Sequence, residues 1–120
     1  MRARQTTWYL DSGCSRHMTG DKSKFISLEN REVGMVTYGD NNKGRILGVG
    51  TIGNSSNTFI EDVLYVEGLK YNLLSISQLC DKDYNVSFNE KCCLVKKSNS
   101  DETLFIGNRV GNIYILDLEH

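Results

Sequence analysis

The chain has 120 residues, 39% of them hydrophobic and 24% charged, a length that suits one domain around one core. Its 14 basic and 15 acidic residues leave a net charge of -1, which gives no electrostatic footprint for a phosphate backbone, so no direct nucleic-acid binding is expected. No apolar run approaches the roughly 20 residues of a membrane span and the start MRARQTTW holds no secretory apolar stretch, so a cytoplasmic setting away from membranes is expected, with Cys14, Cys80, Cys92 and Cys93 as thiols.

With 11 glycines and no proline, turns fall to Gly, Asn and Asp, which favours hairpins. TTWYLDSG predicts a strand that delivers Asp11 to its C-terminal end. CSRHMTGDKSKFISLENRE is polar apart from Phe25, Ile26 and Leu28, and reads as a loop with a short apolar anchor. VGMVTYGDNNKGRILGVGTIG is the clearest hairpin, with Val36 and Tyr38 on one side and Ile46, Leu47, Val49 and Ile52 on the other. Its centre, Gly39, Asp40, Asn41, Asn42, Lys43 and Gly44, is rich in residues that tolerate positive φ. TFIEDVLYVEGL predicts a strand with Phe59, Ile60, Val63, Leu64, Tyr65 and Val66 as core and a turn at Glu67 and Gly68. In YNLLSISQLCDKDY, Leu73 and Leu74 are extended, and Ser75 or Ser77 caps a short helix that runs through Cys80 to Lys82.

NVSFNEKCCLVKK predicts a hairpin that sets Val86 and Phe88 against Cys93 and Val95. SNSDET is a loop, and LFIGNRVGNIYILDL a last hairpin around Asn108 and Gly111. Residues 1–6 and 119–120 read as tails, the latter as a cloning remnant that takes His120 out of any mechanism. The expected class is mainly β, a small antiparallel domain with one short helix.

Chemistry concentrates in WYLDSGCSRHMTG, which holds an acid, two serines, a thiol and one of the chain's 2 histidines. A serine hydrolase elbow needs Gly-x-Ser-x-Gly, and Gly13, Cys14, Ser15, Arg16, His17 fails at the last glycine. Cys14 lies three residues before His17, yet thiol sites recruit their histidine from elsewhere in the chain. A zinc site on Cys14 and His17 would need Cys80, Cys92 or Cys93, and neighbours such as Cys92 and Cys93 point to opposite faces of a strand. No metal is therefore expected. Asp11 remains: a strand-end acid on a Ser-Gly turn is either a plain turn residue or half of a carboxylate pair. Two carboxylates about 3 Å apart share one proton, so that one activates a water while the other polarises a scissile carbonyl.

WYLDSGCSRHMTGD resembles the start of the aspartic protease of Ty1/copia-type retrotransposons, a retropepsin-like branch whose active-site triplet is Asp-Thr-Gly or Asp-Ser-Gly. VTYGDNNKGRILGVGTI is similar to that family's flap and following strand, and VLYVEGLKYNLLSISQLCDKDYNVSF to its second characteristic block. Ser75 stands where viral retropepsins carry glycine. GNRVGNIYILDL resembles the start of the pre-integrase region of a Gag-Pol polyprotein. The resemblance implies a retropepsin-like closed β domain over residues 7–97, with 98–118 as a C-terminal hairpin, excised from a polyprotein processed inside virus-like particles.

It further implies Asp11 as catalytic acid or base, Ser12 bonding across a dimer interface and Gly13 offering its N–H to the carboxylate. Gly39, Asp40, Asn41, Asn42, Lys43 and Gly44 would close as a flap over an extended polyprotein segment, and Leu73 and Leu74 would line apolar pockets. The chain holds one Asp-Ser-Gly and is about half the length of a two-lobed enzyme, so the second carboxylate comes from a C2 homodimer. No cofactor is implied. Two other classes bear on the same residues: an inactive, domesticated copy that binds peptides in the same cleft, and a Gag-type zinc or nucleic-acid module, disfavoured because no zinc-knuckle spacing is present.

Overall fold

A computed structural model of the chain describes residues 7–38, 41–53 and 59–118. In chain order the elements are β1 (Thr7–Asp11), β2 (Met18–Thr19), β3 (Phe25–Tyr38), β4 (Asn42–Gly53), β5 (Phe59–Val66), β6 (Asn72–Ser75), α1 (Ile76–Asp81), β7 (Tyr84–Phe88), β8 (Cys92–Lys97), β9 (Thr103–Val110) and β10 (Ile113–Asp117). The mainly β class with one short helix is what the sequence predicts. No helix among the described residues is long and apolar enough to cross a membrane.

The strands form one sheet in the order β3-β4-β5-β2-β6-β1-β10-β9-β8-β7. β1 sits inside it, parallel to β6 with Asp11 opposite Ser75, and antiparallel to β10 with Trp8 opposite Leu116. Strand periodicity then sorts its side chains: Trp8 and Leu10 go into the core, and Tyr9 and Asp11 share the more open face. One cluster gathers Trp8, Leu10, Leu74, Leu79, Val95, Phe105, Leu116 and Leu118; a second gathers Cys14, Met18, Ile46, Leu64, Val66 and Leu69. The loop that follows Asp11 is therefore fastened at both ends by apolar burial, worth roughly 1.5–3 kcal/mol for each large side chain.

The expected closed domain is corrected: among the described residues the sheet is open, with β3 and β7 as its edges. Closure would bury Glu29, Asn30, Arg31 and Glu32 of β3 against Asn85 and Ser87 of β7, all of them polar and most of them exposed. Polar edge residues resist further pairing. The expected loop over residues 14–32 is corrected too, since it holds β2, a 3₁₀ turn at Lys22–Lys24 capped by Asp21, and the first part of β3. That part of β3 escapes pattern reading because backbone pairing with β4, not apolar alternation, holds it; Ile26 is 60% exposed. Phe59, expected in the core, is likewise 47% exposed.

Elsewhere local chemistry reads through. Ser75 caps α1, Val86 pairs with Val95 and Phe88 with Cys93, and Gly111 turns β9 into β10 at φ 62°. The hairpin β9–β10 does not stand apart, because β9 pairs with β8 and β10 with β1. Gly107 shows how closely it is packed: an added Cβ would come 2.5 Å from Cys93 Sγ and 2.7 Å from the Ile115 carbonyl oxygen. A Gly107→Ala chain is expected to lose about 1–3 kcal/mol of stability, read as a lower denaturation midpoint at unchanged slope.

Candidate active site

β1 ends at Asp11, and the chain turns through Ser12 and Gly13, both exposed, before Cys14 sinks into the second core. The Gly13 N–H donates to Asp11 Oδ1 at 2.7 Å. Glycine suits this place because a Cβ there would sit 3.2 Å from the same oxygen, tighter than an ordinary contact. The turn thus holds one carboxylate oxygen against a backbone donor and leaves the group partly open to solvent.

Asp11 and Ser12 open into a groove of about 580 Å³. Its apolar lining comes from either side of β1: Leu73 with Tyr71 and Ile76 on the β6 side, Ile113 and Tyr114 of β10 with Phe88 on the other. Tyr9 meets Tyr71 edge to face at 5.8 Å, and Phe88 meets Tyr114 at 4.9 Å, so ring contacts stiffen both sides. The Tyr114 hydroxyl donates to the Asn89 carbonyl at 2.6 Å. Among the described residues Asp11 is the one acidic side chain in this lining.

Of the residues singled out from the sequence, Asp11, Ser12, Gly13 and Leu73 come together here. Leu74 does not; it is 0% exposed and packs in the first core, because consecutive residues of β6 point to opposite faces. Gly39 and Asp40 lie outside the described residues. Asn41, at φ 65°, with Asn42 and Lys43 is exposed at the β3–β4 hairpin tip, and Gly44 is buried against Val66; none of these four lines the groove. Besides Leu10 of β1, the residues Tyr9, Tyr71, Ile76, Phe88, Asn112, Ile113 and Tyr114 complete the lining and escape sequence reasoning. Alternation along β1 pairs Tyr9 with Asp11, but the rest come from remote segments that carry no local signal.

The reactive groups beside Asp11 have other occupations. Cys14 is pushed up to about 11, by burial first and the Asp11 carboxylate second, so at neutral pH it is a thiol and no nucleophile. His17 is 1% exposed; its Nδ1 accepts the Ser75 N–H at 2.9 Å and its own backbone N–H donates to Gln78 Oε1 at 2.8 Å. Ser75 Oγ donates to the Cys14 carbonyl at 2.8 Å and accepts the Gln78 N–H at 3.1 Å. Among the described residues no three His, Cys, Asp or Glu side chains gather as metal ligands. The 4 cysteines are free, Cys80 exposed and Cys93 buried.

The family model described as Pol polyprotein, beta-barrel domain, matches residues 8–84. The chain is 33% identical over 73 residues to a putative transposon Ty5-1 protein of Saccharomyces cerevisiae, an alignment that covers 61% of this chain and 49% of that protein. The chain thus spans about half the length of the curated relative it matches. No solved structure matches it.

Proposed function

This chain belongs to the family of Pol polyprotein beta-barrel domains, and from that premise we propose that it is the aspartic endopeptidase of a copia-type retrotransposon, which cleaves the Gag-Pol polyprotein as a homodimer. The observation that carries this reading is the placement of Asp11: a single acid, bonded to the Gly13 N–H, on an exposed turn at the centre of an apolar groove. One such carboxylate cannot do paired acid–base chemistry, and among the described residues no second acid lines the groove. A twofold axis beside the turn supplies Asp11 of the partner subunit, since a residue near such an axis meets its own copy.

The pair shares one proton. The ionised member takes a proton from a bound water as its oxygen attacks the scissile carbonyl carbon, and the protonated member donates to the carbonyl oxygen. Collapse of the tetrahedral intermediate expels the amine, which takes up the proton that the water gave, while the proton on the former carbonyl oxygen returns to the other carboxylate and restores the shared pair. Backbone bonding would hold the substrate extended, with alternate side chains turned towards Leu73, Phe88 and Ile113. Ser12 fastens the two turns across the interface, and the described part of the hairpin tip, Asn41 with Asn42 and Lys43, would fold over the bound peptide.

Because each site needs two chains, cleavage per chain should rise with concentration through the dimerisation range and level off above it, in step with the dimer fraction seen by sedimentation. A strictly monomeric chain with constant specific activity would remove the shared-site mechanism. A monomer that binds peptide without cutting would instead mark a binding domain.

A further inference from the structure

We propose that neutral His17 is the positioning residue of the Asp11 turn: by accepting the Ser75 N–H it holds the start of α1 in the arrangement from which Ser75 fastens that turn, and protonation of the ring releases it. The role rests on the endopeptidase reading, since the turn it holds is the one that carries the carboxylate.

The donor at His17 is a backbone N–H at 2.9 Å, which cannot accept, so Nδ1 carries a lone pair and the ring proton sits on Nε2. An imidazolium would set one N–H against another in a site that is 1% exposed. Ser75 joins both sides of the clamp. Its hydroxyl reaches the Cys14 carbonyl and the Gln78 N–H, and its backbone lies opposite Asp11 in the β1–β6 ladder. Gln78 closes the circuit, accepting the His17 backbone N–H at Oε1 and donating through Nε2 to the Asp62 carbonyl at 3.1 Å. The His17 carbonyl accepts the Leu64 N–H at 2.9 Å, so β5 grips the same residue from behind. A histidine with every one of these contacts made by backbone or uncharged groups is placed for structure in its neutral form.

The charged groups around the clamp are Arg16 on its own loop, Asp62 on β5, Asp81 on α1 and Lys82 at the helix end, which line one small cleft with Gln78. Asp62 is engaged by Lys82 at 3.2 Å. Burial first, then Arg16, push the imidazole down to about 4, with Asp62 acting in the opposite sense. The folded value lies below the ordinary 6.5, so the unfolded chain takes up the proton first. The clamp's contribution is complete above pH 6.5 and is lost as the pH falls from there towards about 4, on the order of 10²-fold in the folding equilibrium.

The test compares wild type with His17→Leu, which has no acceptor, and His17→Asn, whose Oδ1 takes the place of Nδ1 and does not titrate. In peptide cleavage, His17→Leu is expected to lose about 10- to 100-fold in kcat with KM little changed, and His17→Asn to recover most of that loss. Melting temperature against pH, and exchange of the Ser75 amide, are measured in an Asp11→Asn background, where no catalytic pair titrates. There the chain that keeps His17 should weaken below about pH 6 and its Ser75 amide lose protection relative to the free-peptide exchange rate, while His17→Asn holds both about one pH unit or more lower. Should His17→Leu fail to fold, the His17→Asn and exchange measurements decide alone. Equal pH profiles with and without the His17→Asn change, or a His17→Leu chain with wild-type kcat, overturn the proposal. If even wild type cleaves nothing, the endopeptidase reading falls; an acid-insensitive Ser75 amide would then overturn the clamp and an acid-released one uphold it.

Discussion

An Asp11→Asn chain is expected to cleave peptide and polyprotein at no more than about one-thousandth of the wild-type rate, with its fold intact. The amide has nearly the shape of the carboxylate, and its Oδ1 keeps the Gly13 N–H that Asp11 accepts at 2.7 Å. What it loses is charge and the capacity to share a proton. In the proposed homodimer the change strikes both members of the pair at once, and Asp11 is the one acidic group that the described residues bring to the groove.

Mixing sharpens the result. At concentrations where dimers predominate, equal amounts of wild-type and Asp11→Asn chains pair at random, and about a quarter of the dimers hold two wild-type chains. Activity then falls to about half of what the same wild-type chains give alone. A mixture that stays at full activity would show that one Asp11 suffices, and an Asp11→Asn chain with wild-type turnover would remove the aspartic mechanism altogether.

A chain ended after Lys97 is expected not to fold cooperatively. The boundary suggested by family resemblance falls there, yet the residues beyond it supply Phe105, Leu116 and Leu118 to the core that holds Trp8. Each large apolar side chain returned to water costs roughly 1.5–3 kcal/mol, so the three together approach the roughly 5–15 kcal/mol that holds a whole domain. The loss also strips β10 from β1 and β9 from β8, which leaves the Asp11 strand at an open edge and the groove without Ile113 and Tyr114. Thermal melting by circular dichroism tests this. A sharp transition in the shortened chain, with the groove still functional, would make residues 98–118 an accessory hairpin.

Local chemistry made much of the chain legible. Alternation in Thr7–Asp11 sends Trp8 and Leu10 inward and leaves Asp11 on the open face, and the Ser75 hydroxyl stops β6 and starts α1. The Ser-Gly turn after Asp11 is a property of three adjacent residues. Where pairing replaced patterning, as in the first part of β3 up to Glu32, the reading failed, because a strand held by its neighbour's backbone needs no apolar stripe of its own. Leu73 and Leu74 are alike in type and adjacent, and only the pleat separates them, one into the groove and the other into the core.

The sequence by itself thus determined the mainly β class, the strand that ends in Asp11, a serine cap at Ser75 or Ser77 and the turn residues, since these depend on contacts within a few positions. Tertiary structure alone decided the rest. His17 and Ser75 are 58 positions apart, and the burial that keeps the imidazole neutral exists only once β2, β5, β6 and α1 have packed around it. Phe88, Ile113 and Tyr114 flank Asp11 because β10 pairs with β1 and the β7–β8 hairpin follows β9 into the same sheet. Such neighbours are set by long-range strand order, which local propensity does not encode.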